Sequence, residues 1–157
     1  SRTIATFLEM IPILGIVALL FGTDYFVSQT FVLFILSVII AFLLNYLVSL
    51  MIGCIIFWFK RPNGVNSVYR IINFLLAGAL IPLSFFPETI QTVIMLTPFP
   101  YLAYIPASIF VGNTTIAGQE LTATTLLLFS SIQLLGLFFI TRWVWHKSIT
   151  KFQGVGT

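Results

Sequence analysis

The chain has 157 residues, 59% of them apolar and 7% charged, with a net charge of +3 and a mean hydropathy of +1.12. A soluble domain carries about 25% charged residues, so this composition excludes a water-soluble surface and points to an all-α polytopic membrane protein. The seven Lys and Arg residues sit singly or in pairs between hydrophobic runs, which excludes the single basic patch of a nucleic-acid partner.

The first apolar run covers residues 4–22. Its length just matches the roughly 30 Å hydrocarbon core at about 1.5 Å per residue. Pro12 predicts a kink within it. The run contains Glu9 and lacks a small-residue cleavage site, so it reads as a span rather than a cleavable signal. The chain does not start with Met, which is the expectation for a processed or partial chain. The second run, 31–59, carries no charge and exceeds what the core needs, so it should tilt or project. It closes on Trp58, Phe59, Lys60 and Arg61, an aromatic anchor followed by a basic stop. Pro62-Asn63-Gly64 reads as a turn. A third span is predicted over 67–86, with Arg70 near its start, and a fourth over 121–145, flanked by Arg142, His146, Lys147 and Lys151.

Between the third and fourth spans lies a stretch apolar enough for a membrane but broken by Pro82, Pro87, Pro98, Pro100 and Pro106. An interior proline removes a helical hydrogen bond and clashes with the preceding turn, costing about 3 kcal/mol. A carbonyl freed in hydrocarbon finds no water, so such backbone must be buried in protein or line a wet cavity. Residues 87–112 therefore read as a re-entrant helical hairpin. Pro87 suits the first turn of a short helix ending near Leu96, with Glu88 at its positive end. Pro98 and Pro100 make the bend. A second short helix, from about Tyr101 to Phe110, returns to Gly112 with a local kink at Pro106. Ten helical residues reach only about 15 Å, half a membrane.

Orientation follows from charge. With four spans and a hairpin that does not cross, Arg2, Lys60, Arg61, Arg70, Arg142, Lys147 and Lys151 share one side, and Asp24, Glu88 and Glu120 share the other. The positive-inside rule makes the basic side cytoplasmic, with both ends of the chain there and the hairpin outside. The rival topology, in which 89–111 crosses once, splits the basic residues and sets three prolines in one lipid-facing helix. Trp58, Trp143 and Trp145 fall at the inner interface, and Tyr101 and Tyr104 in the outer hairpin, as aromatic belts require.

Little here supports catalysis. His146 is the only histidine, and Cys54, the only cysteine, lies in an apolar run and reads as a small buried hydrophobe. No metal-ligand cluster and no phosphate-binding glycine loop is present in the sequence. The polar residues inside the runs are the candidate path or interhelical groups: Asn45 and Gln133 at the midpoints of their spans, Asn73, and Glu9. Asn45 and Gln133 read as interhelical hydrogen-bonding residues, possible partners of each other, or as lining of a substrate path. Glu9 lies roughly 10 Å deeper than Arg2 along a helix, so its carboxylate must face protein or water and find a partner. Asn113-Thr114-Thr115 matches a glycosylation triplet on the outer side. Ala77, Gly78 and Ala79 permit close helix approach.

The run Gly78, Ile81-Pro82-Leu83-Ser84-Phe85-Phe86-Pro87, Gln91, then Pro98-Phe99, Tyr101, Tyr104, Pro106, Ile109-Phe110 and Gly112 resembles the C-terminal half of an ABC-2-type exporter permease. The ending Trp143, Trp145, Lys147-Ser148-Ile149, Lys151-Phe152 and Gly156 resembles the short basic tail of the bacterial branch, where a Tyr is commoner than Phe152. The resemblance extends over essentially the whole chain. It implies six spanning helices with a re-entrant pair between the fifth and sixth, so the four runs here correspond to helices three to six. It also implies a permease dimer, homo- or heteromeric, on two ATPase subunits in a bacterial inner or plasma membrane. ATP and Mg then belong to the ATPase partner, with no cofactor in this chain. The residues carried over are those of the hairpin, Pro82, Phe85, Pro87, Pro98, Phe99, Tyr101, Tyr104, Pro106 and Gly112, by their place in it and with no chemical role; that the hairpin forms an outer gate or lid over the dimer's central path is a separate hypothesis. Lys60, Arg61 and Arg70 remain as the cytoplasmic contact to the ATPase. The competing readings are a structural or assembly membrane protein and an ion-coupled secondary transporter using Glu9.

Overall fold

The computed structural model of the chain describes residues 29–59 and 62–152. The predicted span at 4–22, with Glu9 and Pro12, and the pair Lys60 and Arg61 lie outside them. Helix α1 runs Gln29–Phe59 and helix α2 runs Pro62–Leu76. After two irregular turns come a 3₁₀ turn, Leu83–Phe85, helix α3, Glu88–Met95, a second 3₁₀ turn, Pro100–Leu102, and helix α4, Tyr104–Val111. A two-stranded ribbon, β1 Thr115–Ile116 and β2 Gln119–Glu120, leads into helix α5, Ala123–Phe152.

Two of these helices are long and apolar enough to cross a membrane, Gln29–Ile56 within α1 and Ala123–Ser148 within α5. They pack along each other. Helix α1 is apolar all round, yet only a stripe of it is buried: Ser37, Ala41, Leu44, Val48 and Ile52, spaced three or four residues apart. Phe42, on another side of the same helix, is 70% exposed. Helix α5 buries Leu126, Ser130, Leu137 and Thr141 at matching intervals. A helix with a narrow buried stripe and apolar residues elsewhere suits lipid, where the outer faces need no protein cover. Hydroxyls in α5 are closed locally, Ser130 donating to the Leu126 carbonyl and Ser131 to the Leu127 carbonyl. Back-bonding of this kind satisfies a polar side chain where water is absent. Thr122 starts α5 as its N-cap, its hydroxyl accepting the Thr125 amide at 3.3 Å.

The third predicted span differs most from the structure. Its regular helix is Pro62–Leu76, so Pro62-Asn63-Gly64 begins the helix instead of forming a free turn; proline is favoured at a first helical position because its missing N–H would be unpaired there anyway. The helix also stops ten residues before Phe86. Gly78 adopts φ +74, which no helix interior allows, and the Leu80 amide reaches back across it to the Phe74 carbonyl at 3.2 Å. Fifteen helical residues cover only about 22 Å.

The proline-broken segment wraps against α1. Tyr101, Ile105 and Ile109 join Leu44, Leu47 and Val48 of α1, Leu126 and Leu127 of α5, and Ile116 of the ribbon in one buried cluster. Pro106 is the third residue of α4. That position lies in the first turn, where the missing N–H has no helical acceptor to lose, so Pro106 starts the helix and does not kink it. Gly112 closes α4 in the left-handed region at φ +76. Tyr101 is 3% exposed and its hydroxyl donates to the Met95 carbonyl at 3.0 Å. It is a core residue and not part of an interfacial belt, because its ring fills the bend and its hydroxyl satisfies a helix-end carbonyl. Cys54 is buried and unpaired, as a small hydrophobe should be.

Candidate functional site

The polar groups of the chain gather at two levels of the hairpin. The first is the end at which α3 begins and the ribbon leads into α5. Pro87 is the N-cap of α3 and Glu88 opens it. One turn on, Gln91 is buried. Its Nε2 donates to the Phe86 carbonyl at 2.7 Å, and its Oε1 accepts the Ala117 amide at 2.8 Å. Ala117 and Gly118 connect β1 to β2, with φ of +51 and +73. Thr115 faces Glu120 and Ile116 faces Gln119 across this ribbon. Two successive positive φ values in a two-residue connection make a type I′ turn, the twist that antiparallel strands require. The Glu88 carboxylate lies against Gly118, where an added Cβ would sit 2.7 Å from Oε1. The first helix of the hairpin and the ribbon before α5 are thus clasped by one side chain and one close approach.

The second level is the bend. The Leu96 carbonyl, the open end of α3, accepts Gln133 Nε2 at 3.0 Å. The Phe99 ring lies 6.5 Å from that of Tyr69 on α2. Leu102 and Ala103 line one cavity with Asn45 of α1 and Asn73 of α2. At the other end of the hairpin, the Phe110 ring meets Phe34 of α1 at 4.9 Å. Phe34 and Asn45 are 11 residues apart, roughly 16 Å along α1. The second arm of the hairpin therefore runs beside α1 over that length, and its bend stands near the midpoints of both long helices.

The predicted polar residues fall as follows. Gln133 serves the helix end at Leu96. Asn45 takes a long contact from the Tyr69 hydroxyl, 3.5 Å to Oδ1, so these two residues have different partners. Asn73 Oδ1 is buried without a hydrogen-bond partner. Arg70 is exposed on α2. Of the hairpin residues, Pro82 precedes the first 3₁₀ turn, Phe85 is 78% exposed, Pro98 and Phe99 are half-buried at the bend, and Tyr104 packs on Gly78, whose added Cβ would meet Tyr104 Cδ2 at 3.0 Å. At the far end of α5, Lys147 Nζ sits 4.0 Å over the Trp143 ring. The gathering of Asn45 and Asn73 around one cavity, and the double bond of Gln91, are not visible in the sequence reading. The available signal for Gln91 is a lone long polar residue in a short apolar helix between prolines. Among the described residues no group of His, Cys, Asp and Glu side chains could hold a metal ion.

The described residues thus combine two helices apolar enough to cross a membrane, a proline-broken hairpin packed on both, and a weakly polar cavity. Comparison with curated proteins and with solved structures gives no match. A family model described as ABC-2 family transporter protein matches residues 4–156. The chain belongs to that family, as a membrane permease of an ABC transporter and not a catalytic subunit.

Proposed function

We propose that the chain is the path-forming subunit of an ATP-driven exporter that moves a hydrophobic or amphiphilic substrate by alternating access. The supporting observation is the proline-broken hairpin, tied to α5 through Gln133 and Leu96 and to α1 through the Tyr101, Ile105 and Ile109 cluster. A hairpin anchored to both long helices moves when they move relative to each other, which is what an outer gate requires. In this reading the chain crosses four times: besides α1 and α5, at 4–22 and over 67–86, where α2 supplies the first part and irregular backbone after Leu76 the rest, with 87–112 re-entrant on the outer side and both ends cytoplasmic. Hydrolysis of ATP with Mg takes place on an ABC ATPase partner, with Lys60, Arg61 and Arg70 facing it. Two permease subunits complete the path.

Two measurements test this. On a Cys54→Ala background in intact cells, a cysteine at Asn113 should react with an impermeant maleimide from outside, and cysteines at Asn63 and Ser148 only after permeabilisation. Reaction at Ser148 from outside overturns the topology. Transport should cease when the partner's ATPase is inactivated, and persistence under a proton gradient alone overturns the energy source.

A further inference from the structure

The cavity between α1, α2 and the hairpin bend has a volume of about 390 Å³. Val38, Phe42, Asn45, Asn73, Phe74 and Ala77 supply most of its described wall. None of the described lining residues is acidic or basic. Phe42 and Phe74 are exposed beside it among the described residues; with α2 membrane-buried, as the exporter reading has it, that side is reached from the hydrocarbon.

Its polar equipment is specific. Asn73 Oδ1 is buried and unbonded, an arrangement that costs free energy until a donor is found. Asn45 Oδ1 holds only the 3.5 Å contact from Tyr69, at the outer limit for an O–H···O bond. Two carboxamides with unmet accepting capacity, in an otherwise apolar wall, ask for a ligand with an O–H or N–H donor. A charged ligand would lie unpaired in a low-dielectric site.

We propose that this cavity is a lateral binding site for neutral lipid-soluble molecules that carry a hydrogen-bond donor. The proposal deepens the exporter reading and rests on it in taking α2 as membrane-buried.

The test uses the permease with its ATPase partner in lipid nanodiscs. Three probes are compared: octan-1-ol bearing a diazirine at carbon 3, its methyl ether, and the matched trimethylammonium compound. Adducts are mapped by mass spectrometry. The alcohol should label the peptides holding Phe42 and Phe74 saturably. The ether should label them about fivefold less, the size of one net hydrogen bond, and the ammonium compound not at all. Asn73→Leu should reduce alcohol labelling to the ether's level, and Ala79→Leu, which narrows the mouth, should reduce labelling by both. Equal labelling by alcohol and ether, unsaturable labelling, or saturable labelling by the ammonium compound overturns the proposal. If Asn73→Leu does not fold, unchanged labelling in Ala79→Leu overturns it equally. Lost binding with intact ATP-driven transport fails this site alone, whereas intact binding with ATP-independent transport fails the exporter reading alone.

Discussion

Gln91 Oε1 accepts the Ala117 amide at 2.8 Å across 26 residues of sequence. The same side chain donates to the Phe86 carbonyl, so one buried carboxamide joins the start of α3 to the turn that precedes α5. Two backbone groups lose their partner if it is removed. Gln91→Leu should destabilise the protein by about 1–3 kcal/mol, the cost of unmet buried polar groups. Hydrogen exchange at the Ala117 amide should accelerate markedly while amides in the middle of α1 stay protected. An unchanged Ala117 rate would show that the clasp does not hold the ribbon.

The turn residues of that ribbon should respond in opposite directions. Gly118→Ala meets both the φ of +73 and the Glu88 carboxylate, and should cost at least about 1–2 kcal/mol. Ala117→Gly relieves an alanine at φ +51 and should be neutral or stabilising by up to about 1 kcal/mol. Thermal midpoints in detergent measure both. Glu88→Ala should recover the steric part of the Gly118→Ala loss and leave the conformational part.

Gly78 combines a φ of +74 with close approach to Tyr104. Gly78→Ala should therefore destabilise by about 1–2 kcal/mol or more, and should disturb the hairpin as well as the end of α2. A double-mutant cycle with Tyr104→Ala should give a favourable coupling of at least about 0.5 kcal/mol. Strict additivity would mean that the contact carries no energy.

Gln133→Leu removes the donor from the open end of α3. Interhelical hydrogen bonds in membranes contribute about 0.6 kcal/mol on average and under about 2, so the thermal midpoint should fall only slightly. Transport should fall more than stability if the Leu96 contact transmits helix motion to the gate. A loss of stability above that range, with transport per folded molecule unchanged, would make Gln133 a structural residue only.

Much of the architecture is legible in the residues. The two long apolar runs became α1 and α5 because neither contains a proline and the basic residues of α5 sit only from Arg142 onward. Pro87 and Gly112 mark the limits of the hairpin helices through local backbone chemistry, a fixed φ at one end and a left-handed φ at the other. The end of α2 was not legible in the same way: Leu76 to Phe86 is as apolar as a span, Pro82 forbids helix only near itself, and the earlier stop comes from the conformation of Gly78 and the packing of Tyr104 on it. A hydropathy pattern weighs side chains one by one, whereas this break depends on a neighbour distant in the chain.

Composition alone settles the medium. A chain with 59% apolar and 7% charged residues can satisfy its backbone in lipid through helices, and its prolines forbid one continuous helix over 78–112. Which polar groups meet depends on packing. Asn45 and Gln133 are both mid-span, but the bend of the hairpin comes between the needs they serve. Gln133 reaches the Leu96 carbonyl, Asn45 faces Tyr69 and a cavity shared with Asn73, and Gln91 reaches Ala117. Hydrogen bonds are short-ranged and directional, so their partners follow from the packing of the hairpin against α1 and α5 and not from any spacing along the chain.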